Sequence, residues 1–528
     1  MAYIVLSYFL IFSGCWISVV KGAKPGDVDK ILHLPGVGEP RNFSQYSGYL
    51  NGVTDKIQIH YWHVEAAINP ESAPLILWLS GGPGCSSLEG LLSENGPYLI
   101  KKGPIYPYKL VYNPFSWNKL GNVLYLESPA GVGFSYSLDG NVTTNDDDQT
   151  ALNNLHALLH FLEKFPEYEG RKLYITGEGY GGVYVPTLAL LLLRNSSKFK
   201  LAGIAVGNGL TSYKLNDNSF LYFIRYHGLI GVSSWNDLLA KCCSDQCSTS
   251  CIFTDNKSEK CQRIISQLAE EPLKGINRYN LYSECVGDAS MSMAITEISP
   301  TRQSSKLYIH HDFGNMFRDN IYMKNRRNMN SALRRNLTTR LTKSCVDDTM
   351  IRSYLNSPVV RRLINVKPDV PKEWDICSDE VNLNYIRTYD DLSDQYMKLL
   401  QSRISVLIYN GDIDLDWNYL GGEMFVDNLK LKPTLSRRVW LYTKRDGTKQ
   451  VGGFWKIFEN YGSMLMYATV HGAGHMVPGD KPAAAFYLMN KFIHGEDFQH
   501  NGVERRRSME KHLIPVLLVL FYIIILSL

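Results

Sequence analysis

The chain has 528 residues, of which 45% are hydrophobic and 20% are charged, and its formal net charge at pH 7 is +4. This composition is typical of a globular protein, and the length allows one large α/β domain with an insertion or two to four smaller domains. So small a net charge, without a basic stripe, gives no reason to expect a nucleic-acid partner.

The N-terminus carries a candidate leader sequence. Residues 3–20 are almost continuously apolar, and the side chains of Val20 and Gly22 suit cleavage after Gly22. We therefore predict that residues 1–22 are a signal peptide, with an uncleaved N-terminal anchor as the alternative. Cleavage would remove Cys15 and leave nine of the ten cysteines, so one thiol would stay unpaired.

Sequons and cysteines indicate the compartment. Sequons alone are weak indicators, because chance produces several in a chain of this length. Together with the leader and the clustered cysteines, they favour the oxidising secretory pathway. The predicted glycosylation sites are Asn42, Asn141, Asn195, Asn256 and Asn336.

Short apolar runs recur along the chain and predict buried strands. A helical stretch at about 149–165 lies between the second and third of them. Apolar strands that alternate with helices predict a mostly parallel sheet covered by helices on both faces. The predicted strands are 74–79, 121–127, 171–176, 201–208, 404–410 and 464–470.

The strand at 171–176 leads into the glycine-rich stretch 177–182, which precedes a helical pattern. A strand, a sharp glycine-rich turn and a helix are the context of a nucleophile elbow, G-x-S-x-G, in which a serine oxygen stands beside backbone N–H groups. Gly179 stands in the serine's position. Because glycine has no side-chain oxygen, this elbow can present no nucleophile.

The stretch 211–385 lacks the strand–helix rhythm and contains every remaining cysteine except Cys85. We interpret it as an inserted, disulfide-rich cap domain. Disulfides would stabilise it because it is too small or irregular to have much core of its own. The core then comprises residues 23–210 and 386–500. Within the insertion, residues 315–344 form a basic loop.

The strands at 404–410 and 464–470 are each followed by candidate catalytic residues. In α/β-hydrolases the triad follows the chain order nucleophile, acid, base. Asp414 and His475 lie at suitable places for the acid and the base. Spacing alone leaves Asp412 and His471 as alternatives of equal chemistry.

The C-terminus, residues 501–528, consists of a polar, basic spacer and an apolar tail. The tail, residues 513–528, is short for a membrane span, which needs roughly 17–25 residues. A spanning tail would also leave the preceding arginines on the lumenal side, against the positive-inside rule. A signal for attachment of a glycosylphosphatidylinositol (GPI) anchor is therefore slightly favoured over a retained tail anchor.

Several long motifs resemble the signature blocks of the serine carboxypeptidases. The similarity runs from about residue 34 to 492, and its motifs occur in the family's order. It implies an α/β-hydrolase fold with a cap, a homodimer, no cofactor or metal, and release of C-terminal residues from peptides at acidic pH. The motifs are residues 78–87, 127–136, 177–182, 410–414 and 472–478.

The resemblance also assigns roles to individual residues. The acid falls on Asp414, the base on His475, and the oxyanion hole on the backbone N–H groups of Gly82 and Tyr180, which would meet charge that develops in the transition state. Two glutamic acids of the family's clamp share a proton, so binding of a substrate carboxylate favours acidic pH. The clamp residues implied are Trp78, Ser80, Glu94 and Glu178.

The family pattern implies four disulfides and leaves Cys247 as the unpaired thiol. Cys85 is adjacent to two serines and is an alternative nucleophile, although a bridged cysteine followed by helix-capping serines is the favoured interpretation. The implied pairs are Cys85–Cys377, Cys242–Cys261, Cys243–Cys251 and Cys285–Cys345.

The chain departs from the family where the chemistry should be. Gly179 replaces the nucleophilic serine, Ser80 replaces an asparagine of the clamp, and Trp417 replaces a cysteine, which we expect to concern packing alone. Glycine accepts the strained backbone of an elbow at little steric cost. We therefore expect an intact fold without acyl-enzyme formation.

Three functions remain open at this point. The favoured one is an inactive homologue that binds peptide C-termini or protects partner hydrolases. The alternatives are an active serine-type carboxypeptidase and a structural surface glycoprotein. The expected location is the lysosome or the cell exterior, with possible membrane attachment through the tail, and the basic loop 315–344 is expected to be nicked.

Overall fold

Eleven strands form one central sheet in a computed structural model of the chain. The structure describes residues 24–39, 42–103, 108–140, 145–243, 251–273, 275–285, 347–370 and 373–495. Within those residues, the strands are β1 (Gln45–Asn51), β2 (Ile57–Val64), β3 (Leu75–Leu79), β4 (Tyr98–Lys101), β5 (Lys109–Tyr112), β6 (Asn122–Leu126), β7 (Tyr136–Ser137), β8 (Lys172–Gly179), β9 (Lys200–Gly209), β10 (Ser405–Gly411), β11 (Pro433–Thr443), β12 (Lys449–Asn460) and β13 (Ser463–Val470).

Helices connect most of these strands. The α-helices in the described ranges are α1 (Ser87–Ser93), α2 (Asp147–Lys164), α3 (Gly181–Asn195), α4 (Tyr213–Tyr226), α5 (Val232–Cys242), α6 (Glu259–Glu270), α7 (Thr349–Leu355), α8 (Pro358–Leu363), α9 (Asp379–Asn384), α10 (Ser393–Gln401), α11 (Tyr419–Asn428), α12 (Val477–Asp480) and α13 (Pro482–His494). Short 3-10 helices lie at Pro25–Asp29, Trp117–Lys119, Pro166–Tyr168, Phe253–Asp255 and Glu271–Leu273.

The strand order confirms the predicted α/β-hydrolase fold. The order is β1-β2-β6-β3-β8-β9-β10-β13-β12-β11, with β7 paired to β2, while β4 and β5 pair separately. The six strands from β6 to β13 in this order are mutually parallel, and antiparallel pairs flank them on both sides. All six predicted strands lie in the parallel part, whose buried runs carry the strongest apolar signal.

Helices cover both faces of the sheet and bury two large apolar clusters. One cluster includes Leu158 of α2, Leu188 of α3 and Leu399 of α10. The other includes Leu88 of α1 and Phe492 of α13. Because parallel strands exit at the same edge, the loops after β3, β8, β10 and β13 meet at one side of the sheet, where a site can form.

The insertion after β9 forms a small cap with its own apolar cluster. Helices α4, α5 and α6 contribute Phe223, Leu238 and Ile265 to it. Disulfides Cys242–Cys261 and Cys243–Cys251 tie the segments between α5 and α6 together. The cap therefore combines disulfides with a modest core.

The later part of the insertion packs on the sheet rather than in the cap. Tyr354 of α7 and Trp374 are fully buried in the cluster that also holds α1 and α13. Cys377 is bridged to Cys85 in the loop after β3. Residues 347–385 are therefore part of the packing that supports the site.

A buried carboxylate ties three distant segments together behind this packing. Glu127, after β6, accepts hydrogen bonds from Ser86 Oγ, Trp374 Nε1 at 2.8 Å and the Phe134 N–H at 2.9 Å. The oxygen that accepts the Phe134 N–H also lies 2.9 Å from His60 Nδ1, and both side chains are fully buried. Donors from the loop after β3, from residue 374 and from the loop after β6 thus meet at one buried carboxylate.

Several predicted features lie outside the described residues: the signal peptide 1–22, the basic loop 315–344, the segment 501–528, Asn141, Asn336, Cys247 and Cys345. Among the other sequons, Asn42 and Asn195 are exposed, whereas Asn256 is half-buried and donates its amide to the Cys242 carbonyl at 3.0 Å. None of the helices in the described part has the length and apolar character to cross a membrane. Cys285 is disulfide-bonded.

Candidate active site

The elbow is formed where β8 meets α3. Gly179 is the last residue of β8 and has a φ of +56°, and α3 begins two residues later at Gly181. A residue with a Cβ pays roughly 1–2 kcal/mol for this left-handed conformation, whereas glycine adopts it freely. The sequence-based expectation that glycine suits the elbow's backbone is therefore met in the structure.

The space above Gly179 faces the imidazole of His475. A Cβ built on Gly179 would lie 3.3 Å from His475 Nε2 and 3.8 Å from Trp417 Nε1. Any residue with a Cβ at position 179 would require the imidazole to retract by a few tenths of an ångström. The structure thus places His475 where a base would stand, opposite a position that has no nucleophilic atom.

Asp414 and His475 lie together, as their proposed roles require. His475 Nδ1 is 2.9 Å from Asp414 Oδ2, and Asp414 is fully buried. Asn208, at the end of β9, donates to the same carboxylate at 2.8 Å, and the Asp416 N–H donates to its other oxygen at 3.0 Å. Sequence reasoning missed Asn208, although its place at a strand end beside the elbow was a usable signal.

The pKa of His475 is set by opposing effects. Burial alone lowers it, but the Asp414 carboxylate, through charge and a hydrogen bond, and the charges of Glu178 and Asp416 raise the pKa to about 9. The imidazole is therefore a cation with both nitrogens protonated at acidic and neutral pH. In that state it donates hydrogen bonds and cannot accept a proton.

A strap from the insertion holds the acid and base loops in place; we define it as residues 278–281. The Tyr279 ring stacks on the His475 ring with centroids 4.7 Å apart, and the Tyr279 carbonyl accepts the His475 N–H at 2.7 Å. Arg278 Nε donates to Asp416 Oδ1 at 2.7 Å. These contacts could not be predicted from local patterns, because they join segments far apart in the chain.

The alternative acid, base and nucleophile occupy other positions. His471 and Asp412 pair with each other at 2.8 Å, and the His471 side chain is 69% exposed. Cys85 is bridged, and Ser86 caps α1 by accepting the Leu88 N–H at 3.2 Å. A further Ser47–His60–Glu127 row has triad-like distances, but all three side chains are fully buried, so no substrate reaches it.

The two residues proposed for the oxyanion hole come from loops that meet. Gly82, after β3, has a φ of +111°, and Tyr180 follows the elbow glycine. A Cβ on the adjacent Gly81 would lie 2.2 Å from Tyr180 N, so only glycine permits this approach. The loop after β3 is therefore pressed against the start of α3, whose positive dipole end adds to the local potential.

Three buried carboxyl groups form a cluster beside the imidazole. Glu89, Glu94 and Glu178 have side-chain oxygens within 4.8 Å of one another. Glu94 and Glu178 were expected from the family pattern, whereas Glu89, five residues before Glu94 on α1, was missed. Such a group could surround a cation, but the neighbouring imidazolium opposes a second positive charge, and we assign it no metal.

Burial favours the protonated form of each carboxyl group in this cluster. Burial raises the pKa of Glu89 to about 8, with the charge of Glu178 adding to the shift. Burial, followed by Glu178 and Glu89, raises the pKa of Glu94 well above its usual range. Burial also raises the pKa of Glu178, although the charge of His475 and a hydrogen bond with Glu94 oppose this shift. Glu94 is therefore the protonated donor of the pair.

Trp78 and Ser80 are linked to each other at the end of β3. Trp78 Nε1 donates to Ser80 Oγ at 3.0 Å, and both side chains are buried. Because the serine oxygen already accepts this bond, its own proton remains available for a ligand. Ser80 can therefore replace one donor of the asparagine that the family pattern has here, but not both.

Replacing Glu89 with glutamine is expected to stabilise the protein selectively at high pH. The folded-state pKa of about 8 lies above the ordinary value of 4.5, so the folded protein binds the extra proton and loses stability as pH rises between these values. Glu89→Gln removes that loss. We expect a gain of about 1–3 kcal/mol in unfolding free energy at pH 8 and little change at pH 4.5.

The measurement is denaturant unfolding at both pH values, with Glu169→Gln, an exposed glutamate, as the matched control. An equal effect of Glu89→Gln at pH 4.5 and pH 8 would show that protonation of this carboxyl group is not involved.

Comparison with known proteins identifies the family. The family model described as serine carboxypeptidase matches residues 35–495. The chain belongs to the serine carboxypeptidase family. It is 43% identical to the lysosomal protective protein of Mus musculus over 474 residues, which cover 89% of this chain and 95% of that protein. It is also 36% identical to the serine carboxypeptidase ctsa-4.1 of Caenorhabditis elegans, over 89% and 94% of the two chains.

A solved structure supports the fold. A prohormone-processing carboxypeptidase of Saccharomyces cerevisiae, KEX1(delta)p, aligns with a TM-score of 0.65 and 21% identity, covering 90% of this chain and 98% of that chain. The sequence-based recognition of the serine carboxypeptidases is confirmed. The chain is thus serine carboxypeptidase-like in sequence and fold, with glycine at the elbow.

Proposed function

We propose that this serine carboxypeptidase-like protein binds the C-termini of peptides at acidic pH without hydrolysing them. The observation that carries the proposal is Gly179 at the elbow, opposite a His475–Asp414 pair that is fully assembled at 2.9 Å. An acyl-enzyme requires an oxygen or sulfur nucleophile at this position. The carboxyl groups of Glu94 and Glu178 remain as a place for the ligand's terminal carboxylate.

Direct attack by water is disfavoured at the pH at which the carboxyl groups bind a ligand. The imidazole would have to accept a proton from water, yet the pKa of His475 is raised to about 9, mainly by Asp414 against the effect of burial. Below that pH the imidazole is already protonated. The retained pair therefore serves binding rather than general-base catalysis.

The same features support an acidic compartment as the place of action. A glutamic acid side chain donates a hydrogen bond to a carboxylate only while it is protonated, so binding favours low pH. The leader, the sequons and the similarity to a lysosomal protein agree with a lysosomal or secretory location. In that setting the protein would hold peptide or protein C-termini, including those of partner hydrolases, and its tail would attach it to a membrane.

Fluorescence anisotropy of an N-terminally labelled peptide tests the proposal at pH 5. A peptide with a free carboxylate is expected to bind at least about 10-fold more tightly than its C-terminal amide, since one charge-assisted hydrogen bond is worth about 1.5–3 kcal/mol. His475→Gln should weaken the acid's binding, and His471→Gln, the matched change in the exposed pair, should not.

Two results would contradict the proposal. Equal affinity for the acid and the amide would favour a purely structural glycoprotein. Release of the C-terminal residue, detected by mass spectrometry of the same mixture, would show an active carboxypeptidase.

A further inference from the structure

The residue at position 417 does more than fill space in the core. Its ring packs partly against the core cluster, but a Cβ on Gly179 would lie only 3.8 Å from its Nε1. The backbone of Trp417 is anchored by its carbonyl, which accepts from Asn410 Nδ2 at 3.0 Å and from Asn208 Nδ2 at 3.4 Å. The expectation that this substitution concerns packing alone is therefore incomplete.

Two N–H groups line the space that a nucleophile would fill. His475 Nε2 lies 3.3 Å from the Cβ position of Gly179, on the side opposite the bond to Asp414. In the part of the chain that the structure describes, neither His475 Nε2 nor Trp417 Nε1 has a hydrogen-bond acceptor. An oxygen atom placed there needs to shift only a few tenths of an ångström to accept from both.

We infer that this space, bounded by Gly179, His475 and Trp417 and called here the anion seat, binds the carboxylate of a peptide. The inference rests on the proposed function and names a second position for the ligand's carboxylate. In the substrate-like register the terminal carboxylate lies at Glu94 and Glu178. In the register inferred here the peptide is shifted by one residue toward the elbow. Its terminal carboxylate then occupies the position that the new carboxylate of a hydrolysed peptide would take.

The chemistry of the anion seat selects an anion over a neutral amide. The donor on His475 is charged, so its bond to a carboxylate is stronger than a bond to a carbonyl. The start of α3 at Gly181 adds the positive end of a helix dipole. Because glycine occupies position 179, no side-chain atom competes with the ligand oxygen.

The charges around His475 set the direction of the pH dependence. They are Asp414, Asp416 with its partner Arg278, Glu178, Glu89 and Asp480, and the Tyr279 ring covers one face. As pH rises, Glu89 ionises with a pKa raised to about 8 by burial, and His475 deprotonates with a pKa of about 9. Ionised Glu89 repels an anion and neutral His475 no longer attracts one, so carboxylate affinity should fall above about pH 8.

Isothermal titration of N-acetyl-L-phenylalanine at pH 5 tests the inference, with N-acetyl-L-phenylalaninamide as the neutral ligand. Trp417→Phe removes one donor and keeps an aromatic ring, and Gly179→Ala fills the anion seat with a methyl group. We expect each variant to lose at least about 10-fold in affinity for the acid. Trp235→Phe, in the cap, is the matched control and should bind as the wild type does.

The melting temperature of each variant checks its folding. If Gly179→Ala fails to fold, Trp417→Phe still tests the inference, because it introduces no backbone strain. Unchanged affinity in Trp417→Phe and Gly179→Ala, with loss in Glu94→Gln, would place the carboxylate at the glutamic acids. That result would overturn the anion seat and leave the proposed function standing. If the wild type binds neither N-acetyl-L-phenylalanine nor the labelled peptides, both the anion seat and the proposed function are overturned.

Discussion

Replacing Gly179 with serine is expected to convert the protein into a hydrolase of blocked dipeptides at acidic pH. In a comparable hydrolase, loss of the triad serine costs about 10⁶ in turnover, so its return should raise turnover by at least about 10³-fold even if Ser80 limits substrate binding. The new hydroxyl would lie against His475 Nε2, because a Cβ at this position is already 3.3 Å from that nitrogen. Turnover would proceed through the fraction of molecules whose imidazole is neutral, in which His475 can act as the general base.

The measurement is release of the C-terminal amino acid from a blocked dipeptide at pH 5. Gly179→Ala is the matched control, because it carries the same backbone strain at a φ of +56° and has no oxygen. We expect both variants to melt slightly below the wild type and only the serine variant to hydrolyse. A serine variant that folds, binds the peptide and stays inert would place a second lesion in the site, with Ser80 the first candidate.

Replacing Glu127 with glutamine is expected to destabilise the protein strongly without touching the site. Glutamine has nearly the same shape, but in either orientation its amide NH₂ would face a donor instead of an acceptor. On one side the NH₂ would face Ser86 and Trp374, which both donate to the carboxylate, and on the other it would face the Phe134 N–H, with His60 Nδ1 nearby. Breaking a buried charge-pair network typically costs about 3–5 kcal/mol, because the remaining groups are buried without partners.

Denaturant unfolding at pH 6 measures this cost. Glu259→Gln is the matched control, since Glu259 is 85% exposed and its pairing with Arg263 contributes at most a few tenths of a kcal/mol. A loss below about 1 kcal/mol in Glu127→Gln would mean that the three donors find water or other acceptors. The arrangement around Glu127 would then not be what holds the loop after β6 to Trp374.

Part of the fold could be predicted from the sequence because its signals are local. The parallel strands are short continuous apolar runs bounded by turn residues, and all six were found. Strands β11 and β12 escaped prediction, because exposed polar residues, such as Arg438 and Lys449, break the apolar pattern. The division of residues 211–385 into a cap and a segment on the sheet depends on long-range packing, which local composition does not encode.

The site, like the fold, could be predicted from the sequence only in part. Motifs in the family's order led to Asp414, His475, Glu94 and Glu178, and the structure brings these residues together. Contacts between distant segments were out of reach, including the stacking of Tyr279 on His475 and the third carboxyl group, Glu89. Position 417 was read as packing because its closeness to the elbow depends on how β8 and β10 pair with β9.

The central claim is that no covalent intermediate forms at the elbow. Intact-mass spectrometry of the wild-type protein after treatment with a fluorophosphonate at pH 5 and pH 7 tests it most directly, with Gly179→Ser as the positive control. We predict one adduct on the serine variant and no added mass on the wild type. An adduct on the wild-type chain that disappears in His475→Gln would contradict this account.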